Sequence, residues 1–249
     1  LRTASCQAKA QRLQDTHRTL QAQIRRLPQT AAQAASHEAN LLYEYTTIFN
    51  GFAMEMCYGD LEALRAACGP DTAGLMLTNP NTVGLFEKDI LELTALVHAA
   101  GGLVYYDGAN LNAIMGVARP GDMGFDVCHL NLHKTFAMPH GGGGPGVGPI
   151  CVAEHLRAFL PSHPVMPTGG DEGITAVASA PWGSAMLLPI TYGYIKMLGG
   201  NGLRRATEMA IVNANYMSSA LAPEYRTYYS GETGRVGHET VSYTHLTLP

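Results

Sequence analysis

The stretch LVYYDGA, Leu103 to Ala109, has the pattern of a short strand that ends in an acidic residue and a glycine. It follows EKDILELTALVHAAG, residues 87–101, where apolar residues recur at helical spacing before a glycine stop. Before that helix lies GLMLTNP, residues 74–80, a short apolar run closed by Asn-Pro. The order strand, helix, strand predicts an α/β fold with a parallel sheet covered by helices.

Downstream segments extend this pattern. FDVCHLNLH, residues 125–133, predicts a third buried strand, and GPICVAE, residues 148–154, a fourth. Beyond Pro161 the sequence predicts two consecutive helices, residues 181–199 and 203–222, joined by a Gly-Asn-Gly turn, and then an alternating strand that begins at YRTYYSG. This second region predicts connecting helices that lead into a small α+β domain.

Polar residues follow the predicted strands where each one ends. Ligands of such sheets collect at the carboxyl ends of the strands, so these residues are the candidates for a site. They are Asp107 after one strand, His133 and Lys134 after the next, and Thr78, Asn79, Asn81 and Thr82 after the first.

Lys134 is the candidate nucleophile. It follows an apolar strand and precedes Thr135 and Phe136, so we expect partial desolvation that lowers its pKa and favours the neutral amine that attacks carbonyls. Asp107 on the neighbouring strand has two interpretations. It forms an ion pair with the lysine, or it holds a proton on a pyridine nitrogen, as the acid partner does in pyridoxal phosphate enzymes.

Gly141 to Gly144, followed by Pro145 and Gly146, form a glycine-rich loop shortly after the lysine. Successive glycines allow backbone amides to approach an anion closely, which favours contact with a phosphate or a cofactor. The stretch lacks the standard nucleotide-binding frames, so a tight structural hairpin is the equal alternative.

Histidines suggest a competing metal site, because His129, His133, His140, His155 and His163 lie in one stretch. On a strand, His129 and His133 would stand about 13 Å apart, too far for two ligands of one ion. No HExxH or Cys/His ligand frame is present, so we predict no metal site.

Composition narrows the class of protein. The 249 residues are 46% hydrophobic and 14% charged, which favours a globular core, and the formal net charge of -4 argues against a nucleic-acid partner. No run approaches the about 18 apolar residues of a membrane span, and the N-terminus has no apolar signal core, so we expect a cytoplasmic location. The five cysteines form no CxxC pair and are expected to be reduced thiols.

Three segments carry a resemblance to a known family. TNPNTVGLFEKDI, YYDGANLNAIMG and DVCHLNLHKTFAMPHGGGGPGVGP resemble the C-terminal half of glycine dehydrogenase (decarboxylating), the P-protein of the glycine cleavage system. The resemblance runs from about residue 59 to residue 239 and includes APWGSAMLLPITYGYIKMLGGNGLRRATEMAIVNANY. It implies a partial aspartate aminotransferase-like (fold-type I) large domain with a parallel-rich sheet, followed by part of a small α+β C-terminal domain.

The resemblance also implies boundaries. We expect a partial cofactor-binding large domain over 59–180, then connecting helices and a partial C-terminal domain over 181–239. The basic, Gln/Ala-rich residues 1–50 are expected to be poorly ordered, and residues 240–249 to be unlike the family. The cofactor-phosphate loop of the family is not found, so the chain is expected to be truncated.

By resemblance, pyridoxal phosphate is the cofactor, covalently held by Lys134, with Asp107 against its pyridinium nitrogen. Lys134 and His133 are implied to be catalytic, and three further residues to contact the cofactor or shape its pocket, namely Thr82, Asn110 and Thr135. Arg235, in GRVGHE, is implied to receive the substrate carboxylate as a bidentate partner.

The implied reaction is the decarboxylation of glycine with transfer of the aminomethyl group to the lipoyl group of H-protein. The implied partners are H-protein and a complementary P-protein subunit or N-terminal half, in a homo- or hetero-oligomer. We expect the chain by itself to bind the cofactor weakly and to have little activity. The alternatives are another fold-type I reaction, such as an aminotransferase or a lyase, and a non-catalytic subunit.

Overall fold

The computed structural model describes residues 15, 18, 19, 40–45, 51–55, 61–143 and 146–242. The chain divides into two units, one of residues 1–72 and 95–101 and one of residues 73–94 and 102–249. The first unit contains strand β1 (Asn40–Tyr45), which pairs antiparallel with β2 (Gly51–Glu55), and helix α1 (Leu61–Ala67). Apart from these elements, the expectation for residues 1–50 lies outside the described residues and stays a prediction.

The second unit is built on a four-stranded sheet. Its strands are β3 (Gly74–Leu77), β4 (Leu103–Gly108), β5 (Val127–Leu130) and β6 (Ile150–Val152), in the order β3-β4-β5-β6. The first three are parallel and β6 is antiparallel to β5. Helix α2 (Ile90–Ala99) connects β3 to β4 along the chain. The predicted α/β class with a parallel-rich sheet is therefore confirmed.

One face of β4 is buried in the core. Val104 and Tyr106 are fully buried, as the alternation of a strand requires, and the Tyr106 ring packs edge-on against Phe125 at 4.9 Å between centroids. The Tyr106 hydroxyl donates to the backbone oxygen of Asn79 at 2.8 Å. The Asn79 side chain accepts from the amide of Glu87 at 2.8 Å. These bonds fix the loop after β3 on the core.

The third strand is shorter than predicted. It ends at Leu130, and Leu132–Thr135 form a helical turn, α3, in which the amides of Lys134 and Thr135 donate to the backbone oxygen of Asn131. The apolar run had favoured a strand through His133. Because the amides of Lys134 and Thr135 make their hydrogen bonds within the turn, they do not pair with a neighbouring strand. Lys134 therefore lies on a turn after the strand.

The C-terminal region is dominated by helix α4 (Leu188–Leu221), which is interrupted at Gly199 with a φ of 60°. Two consecutive helices were expected, and the break falls just before the predicted Gly-Asn-Gly turn. The prediction of an alternating strand from Tyr225 is wrong. Only an isolated bridge between Thr227 and Ser242 forms there in the described residues, because the intervening amides are used in turns such as the bond from Gly231 N to Arg235 O.

The segment after α4 returns to the loop that follows β3. The Asn215 side chain on α4 bonds both the amide and the carbonyl of Val236, at 3.1 and 2.7 Å. The amide of Gly237 then donates to the oxygen of Gly84 at 2.7 Å. Gly84 has a φ of +84°, and a Cβ there would collide with Glu239, so this close approach requires glycine. Residues 236–239 are thereby held at the carboxyl end of β3.

Within the described residues, no helix is both long enough and apolar enough to cross a membrane.

Candidate functional site

The sheet register brings the predicted strand ends together. Leu77 of β3 lies opposite Tyr106 of β4, and Asp107 lies opposite His129 of β5. Because the three strands are parallel and adjacent, the loop after β3, the acidic residue on β4 and the turn α3 after β5 lie along one edge of the sheet.

Asp107 is held by a short hydrogen-bonded chain. Its Oδ1 accepts from the amide of Ala109 at 2.9 Å and lies 3.2 Å from Nε2 of His129. Nδ1 of His129 lies 3.0 Å from the hydroxyl of Tyr105. Burial, and then the charge of Asp107, raise the pKa of the Tyr105 phenol, which therefore keeps its proton. In the tautomer in which Nδ1 accepts from Tyr105, Nε2 carries the proton and donates to Asp107, which remains partly exposed.

These contacts contradict the first interpretation of Asp107, the ion pair with the lysine, and the second, a partner for a pyridine nitrogen, stays a prediction. The carboxylate is paired with His129, and no ion pair with Lys134 forms in the described part of the chain. The sequence singled out His129 only as a member of the rejected metal cluster. Its contact with Asp107 could have been predicted only from the register of the two adjacent strands, which places His129 opposite Asp107. The sequence does not give that register.

Lys134 is exposed, so the expectation of a desolvated lysine is wrong. The helical turn α3 carries the side chain off the buried strand, which is where the desolvation was expected to come from. The positive charge of Lys134 contributes to lowering the pKa of two histidines, His133 and His238.

The neighbours of Lys134 on α3 differ in environment. The His133 ring packs edge-on against His140 with centroids 4.6 Å apart, and burial, His140 and Lys134 together lower the pKa of His133. Thr135 is buried, and its Oγ1 has no hydrogen-bond partner in the described residues. A buried unpaired hydroxyl costs free energy, so Thr135 Oγ1 is a polar atom available to a ligand.

The other predicted residues are distributed around this edge. Asn110 is buried, and its Nδ2 donates to the oxygen of Pro80 at 2.9 Å, which ties the β4 end to the loop after β3. The side chains of Thr82 and Arg235 are exposed. Neither makes a side-chain hydrogen bond or ion pair within the described residues. Arg235 immediately precedes the segment 236–239 that is held against Gly84.

His238 is a residue that sequence analysis missed. Its side chain is only 5% exposed, with Nε2 3.5 Å from Oε1 of Glu239. Nδ1 is buried and has no partner in the part of the chain that is described. Burial is the main cause that lowers the pKa of His238; the charge of Lys134 adds to this and that of Glu239 opposes it. No local pattern marks this histidine, since its burial comes from the long-range contact of 236–239.

We expect this histidine to make stability depend on pH. Its folded-state pKa lies below its ordinary value of 6.5, so the unfolded chain binds more protons once the pH falls through that value. The free energy of unfolding should therefore decrease below about pH 6.5 and lose this contribution fully below the folded-state pKa. Urea unfolding of wild type and His238→Gln near pH 7.5 and 5.5 measures it. The variant should show the smaller loss.

The matched control is His98→Gln, at an exposed histidine on α2. It should keep the pH dependence of the wild type. An unchanged slope in His238→Gln would contradict the assignment of a neutral buried His238.

The glycine loop is described only in part. Gly141, Gly142 and Gly143 all have positive φ and are exposed, whereas Gly144 and Pro145 lie outside the described residues. Whether this loop contacts a phosphate therefore stays a prediction. In the described residues no group of three or more His, Cys, Asp or Glu side chains is arranged to hold a metal ion.

Comparisons with known proteins identify relatives. A family model described as "Glycine dehydrogenase, C-terminal domain" matches residues 206–246, a range that includes residues 240–246, expected above to be unlike the family. The chain is 61% identical over 169 residues to glycine dehydrogenase (decarboxylating) of Christiangramia forsetii, which covers 68% of this chain and 18% of that protein. It is 56% identical over 172 residues to the mitochondrial glycine dehydrogenase (decarboxylating) of Mus musculus, covering 68% and 17%.

Solved structures show the same fold. A crystal structure of glycine decarboxylase (P-protein) of the glycine cleavage system, in inhibitor-bound form, has a TM-score of 0.50 at 22% identity and covers 66% of this chain and 41% of that chain. Pyridoxamine-pyruvate aminotransferase from Mesorhizobium loti has a TM-score of 0.54 at 16% identity, covering 76% and 50%. The chain therefore has a partial fold-type I architecture. It spans about a fifth of the length of the curated relatives it matches.

Proposed function

We propose that this chain supplies the lysine-bearing part of a pyridoxal phosphate site for glycine decarboxylation, because over the part that matches it is 61% and 56% identical to proteins named glycine dehydrogenase (decarboxylating). The observation that carries this proposal is local. Asp107 is positioned by its contacts with His129 and with the amide of Ala109, and the turn that carries Lys134 follows the same strand as His129. An acid and an amine at adjacent strand ends are the two groups that this cofactor requires.

The residues of this edge fit the proposed cofactor. Asp107 is partly exposed, and its contacts with the described residues use only Oδ1, which leaves the carboxylate able to pair with a protonated ring nitrogen. Thr135 offers an unpaired buried hydroxyl for a polar group of the cofactor. Lys134 would hold the cofactor covalently, with Asn110, Thr82 and His133 around it. When bound, pyridoxal phosphate supplies an electron sink for the loss of the glycine carboxylate.

The protein side chains have separate tasks. Lys134 must present a neutral amine to a carbonyl, and its exposure makes that amine accessible. His133 has a lowered pKa, so it is a neutral imidazole near pH 7 and a suitable proton acceptor beside the lysine. Asp107 would keep the nitrogen of the cofactor ring protonated, while His129 and Tyr105 fix the position of the Asp107 carboxylate through the hydrogen-bonded chain described above.

The substrate and partners are proposed from the similarity to glycine dehydrogenase (decarboxylating). We propose glycine as the substrate, with Arg235 as the carboxylate-binding residue, because a guanidinium at the end of the segment 236–239 offers a bidentate fork. We propose the lipoyl group of H-protein as the acceptor of the aminomethyl group. A complementary P-protein part in an oligomer would supply the remaining pocket. A cytoplasmic location stays a prediction, since the relatives include proteins named as mitochondrial.

The experiment combines cofactor binding with product analysis. Pyridoxal phosphate is added to the full chain, and visible absorption and borohydride trapping with peptide mapping report covalent attachment. The complementary P-protein part, carboxyl-labelled glycine and lipoylated H-protein are then added, and labelled carbon dioxide is collected. Label on Lys134 with release of carbon dioxide supports the proposal, and an amino-group exchange product without carbon dioxide would assign an aminotransferase. No covalent label would favour a non-catalytic part.

A substitution of Asp107 tests the role of the carboxylate. Asp107→Asn keeps the shape but removes the charge, so we expect the dissociation constant for pyridoxal phosphate to rise about 10- to 100-fold, since hydrogen bonds to charged groups contribute about 1.5–3 kcal/mol. Spectroscopic titration measures it. Asp122→Asn, at an exposed carboxylate paired with Arg119, is the matched control and should bind as wild type does. Equal affinities for Asp107→Asn and wild type would refute this role.

A further inference from the structure

Two cysteines lie directly opposite each other on β5 and on its neighbour β6, the last strand of the sheet. Cys128 of β5 and Cys151 of β6 are register partners in the antiparallel pair. Residues directly opposite in such a pair place their side chains on the same face, so both thiols project to one side of the sheet. Both are free thiols.

The backbone around them defines the kind of pair. The amide of Leu130 donates to the backbone oxygen of Pro149 at 3.0 Å, and the amide of Ala153 donates to the backbone oxygen of Asp126 at 2.7 Å. Counting along the ladder, Cys128 and Cys151 occupy the hydrogen-bonded position between these two bonds. The Cα atoms of such a pair stand about 5.5 Å apart. That spacing falls inside the range of about 4.4–6.8 Å found for disulfide-linked residues.

The two thiols differ in access. Cys128 is buried, and burial followed by the proximity of Cys151 raises its pKa to about 12. Cys151 is exposed on a three-residue edge strand, so oxidants reach it first. Among the described residues, β6 has a neighbouring strand on one side only, so small shifts that bring the two sulfur atoms together disturb little else.

We propose that Cys128 and Cys151 form an oxidation-sensitive dithiol, in which peroxide converts the two thiols into a cross-strand disulfide. The exposed Cys151 is the thiol that meets the oxidant, and the buried Cys128 is the thiol that resolves it. This modification site is independent of the proposed glycine decarboxylation, because it requires neither the cofactor nor Lys134.

The chemistry balances with hydrogen peroxide as the only co-reactant. Peroxide transfers one oxygen atom to Sγ of Cys151, which gives a sulfenic acid and one water. Sγ of Cys128 then attacks that sulfur. The S–S bond forms, the S–O bond breaks, and the leaving hydroxide takes the proton of the Cys128 thiol as a second water. The two thiols lose two electrons and peroxide gains them.

The test uses the full chain with all five cysteines. Protein prepared under reducing conditions is exposed to hydrogen peroxide near equimolar amounts, remaining thiols are alkylated in urea, and peptides are mapped without reduction. We expect the chain to lose the mass of two hydrogen atoms and to yield one cross-linked peptide pair that joins Cys128 to Cys151. A thiol reductant should restore both alkylation sites.

Two variants and one denatured sample serve as controls. Cys151→Ser should remove the cross-link and leave Cys128 alkylatable, whereas Cys68→Ser should leave the cross-link unchanged. Oxidation of wild type in urea should give mixed pairings, so an excess of the Cys128–Cys151 peptide in the native sample shows that the fold directs it. The proposal is overturned if native Cys151 is oxidised or joined to another cysteine while Cys128 remains a free thiol, or if native and urea samples give the same pairings.

Discussion

Replacing Lys134 with alanine should abolish covalent retention of pyridoxal phosphate, with borohydride-trapped label falling to background. If the full reaction is reconstituted with the complementary P-protein part and H-protein, carbon dioxide release from glycine should fall by at least about 10³-fold, the scale seen when a group that forms covalent bonds is removed. The physical reason is that, of the other described lysines, Lys88 is ion-paired with Glu232 and Lys196 lies on α4, whereas Lys134 follows the strand next to that of Asp107. Absorption spectra, peptide mapping and labelled glycine measure the two effects.

The matched control is Lys196→Ala, an exposed lysine on α4. It should keep both the visible band and the label on the peptide that contains Lys134. A wild-type chain that carries its label on Lys196 or Lys88, or a Lys134→Ala chain that retains the label, would show that the cofactor lysine has been assigned wrongly.

Truncating Tyr106 should give the largest loss of stability. Its ring is fully buried against Phe125, and its hydroxyl bonds to Asn79. Tyr106→Ala removes the ring and leaves a cavity beneath the strand that carries Asp107, so the free energy of unfolding should fall by about 3–5 kcal/mol. Chemical denaturation followed by circular dichroism measures this loss.

The variant Tyr106→Phe separates packing from hydrogen bonding. It keeps the ring and removes only the donor to the Asn79 oxygen, so the expected loss is about 1–3 kcal/mol. Truncation of Tyr192, whose ring is 65% exposed on α4, should change stability by less than about 0.5 kcal/mol. Equal losses for Tyr106→Phe and Tyr106→Ala would contradict the burial of the ring as the main contribution.

Several elements could be predicted because their signals are local. The apolar runs around residues 75 and 104 and the helical spacing between them mark β3, α2 and β4. The strand-helix-strand order then requires parallel strands, which the structure confirms. Asp107 and Lys134 were selected on the same ground, since residues at strand ends can be identified once the strands are known.

Other features could not be predicted because they depend on contacts distant in sequence. A strand was expected through His133, but residues 132–135 form the turn α3. The amides of Lys134 and Thr135 donate to the backbone oxygen of Asn131, which is nearer in the chain than any acceptor on a neighbouring strand. A turn with few local markers competes with an apolar strand pattern, and only the ladder with β4 and β6 decides where pairing ends. For the same reason the lysine expected to be desolvated is exposed.

By itself, the sequence determined the α/β class, the order of the strands along the chain and the acid and amine that follow two of them. These depend on periodicity and on residues next to each other, which a chain contains before it folds. The tertiary structure decided that Asp107 pairs with His129, that His238 is buried near Lys134, and that Cys128 faces Cys151. Each of these contacts depends on the strand register or on a segment that returns from a distant part of the chain. Local sequence patterns predict neither the register nor the returning segment.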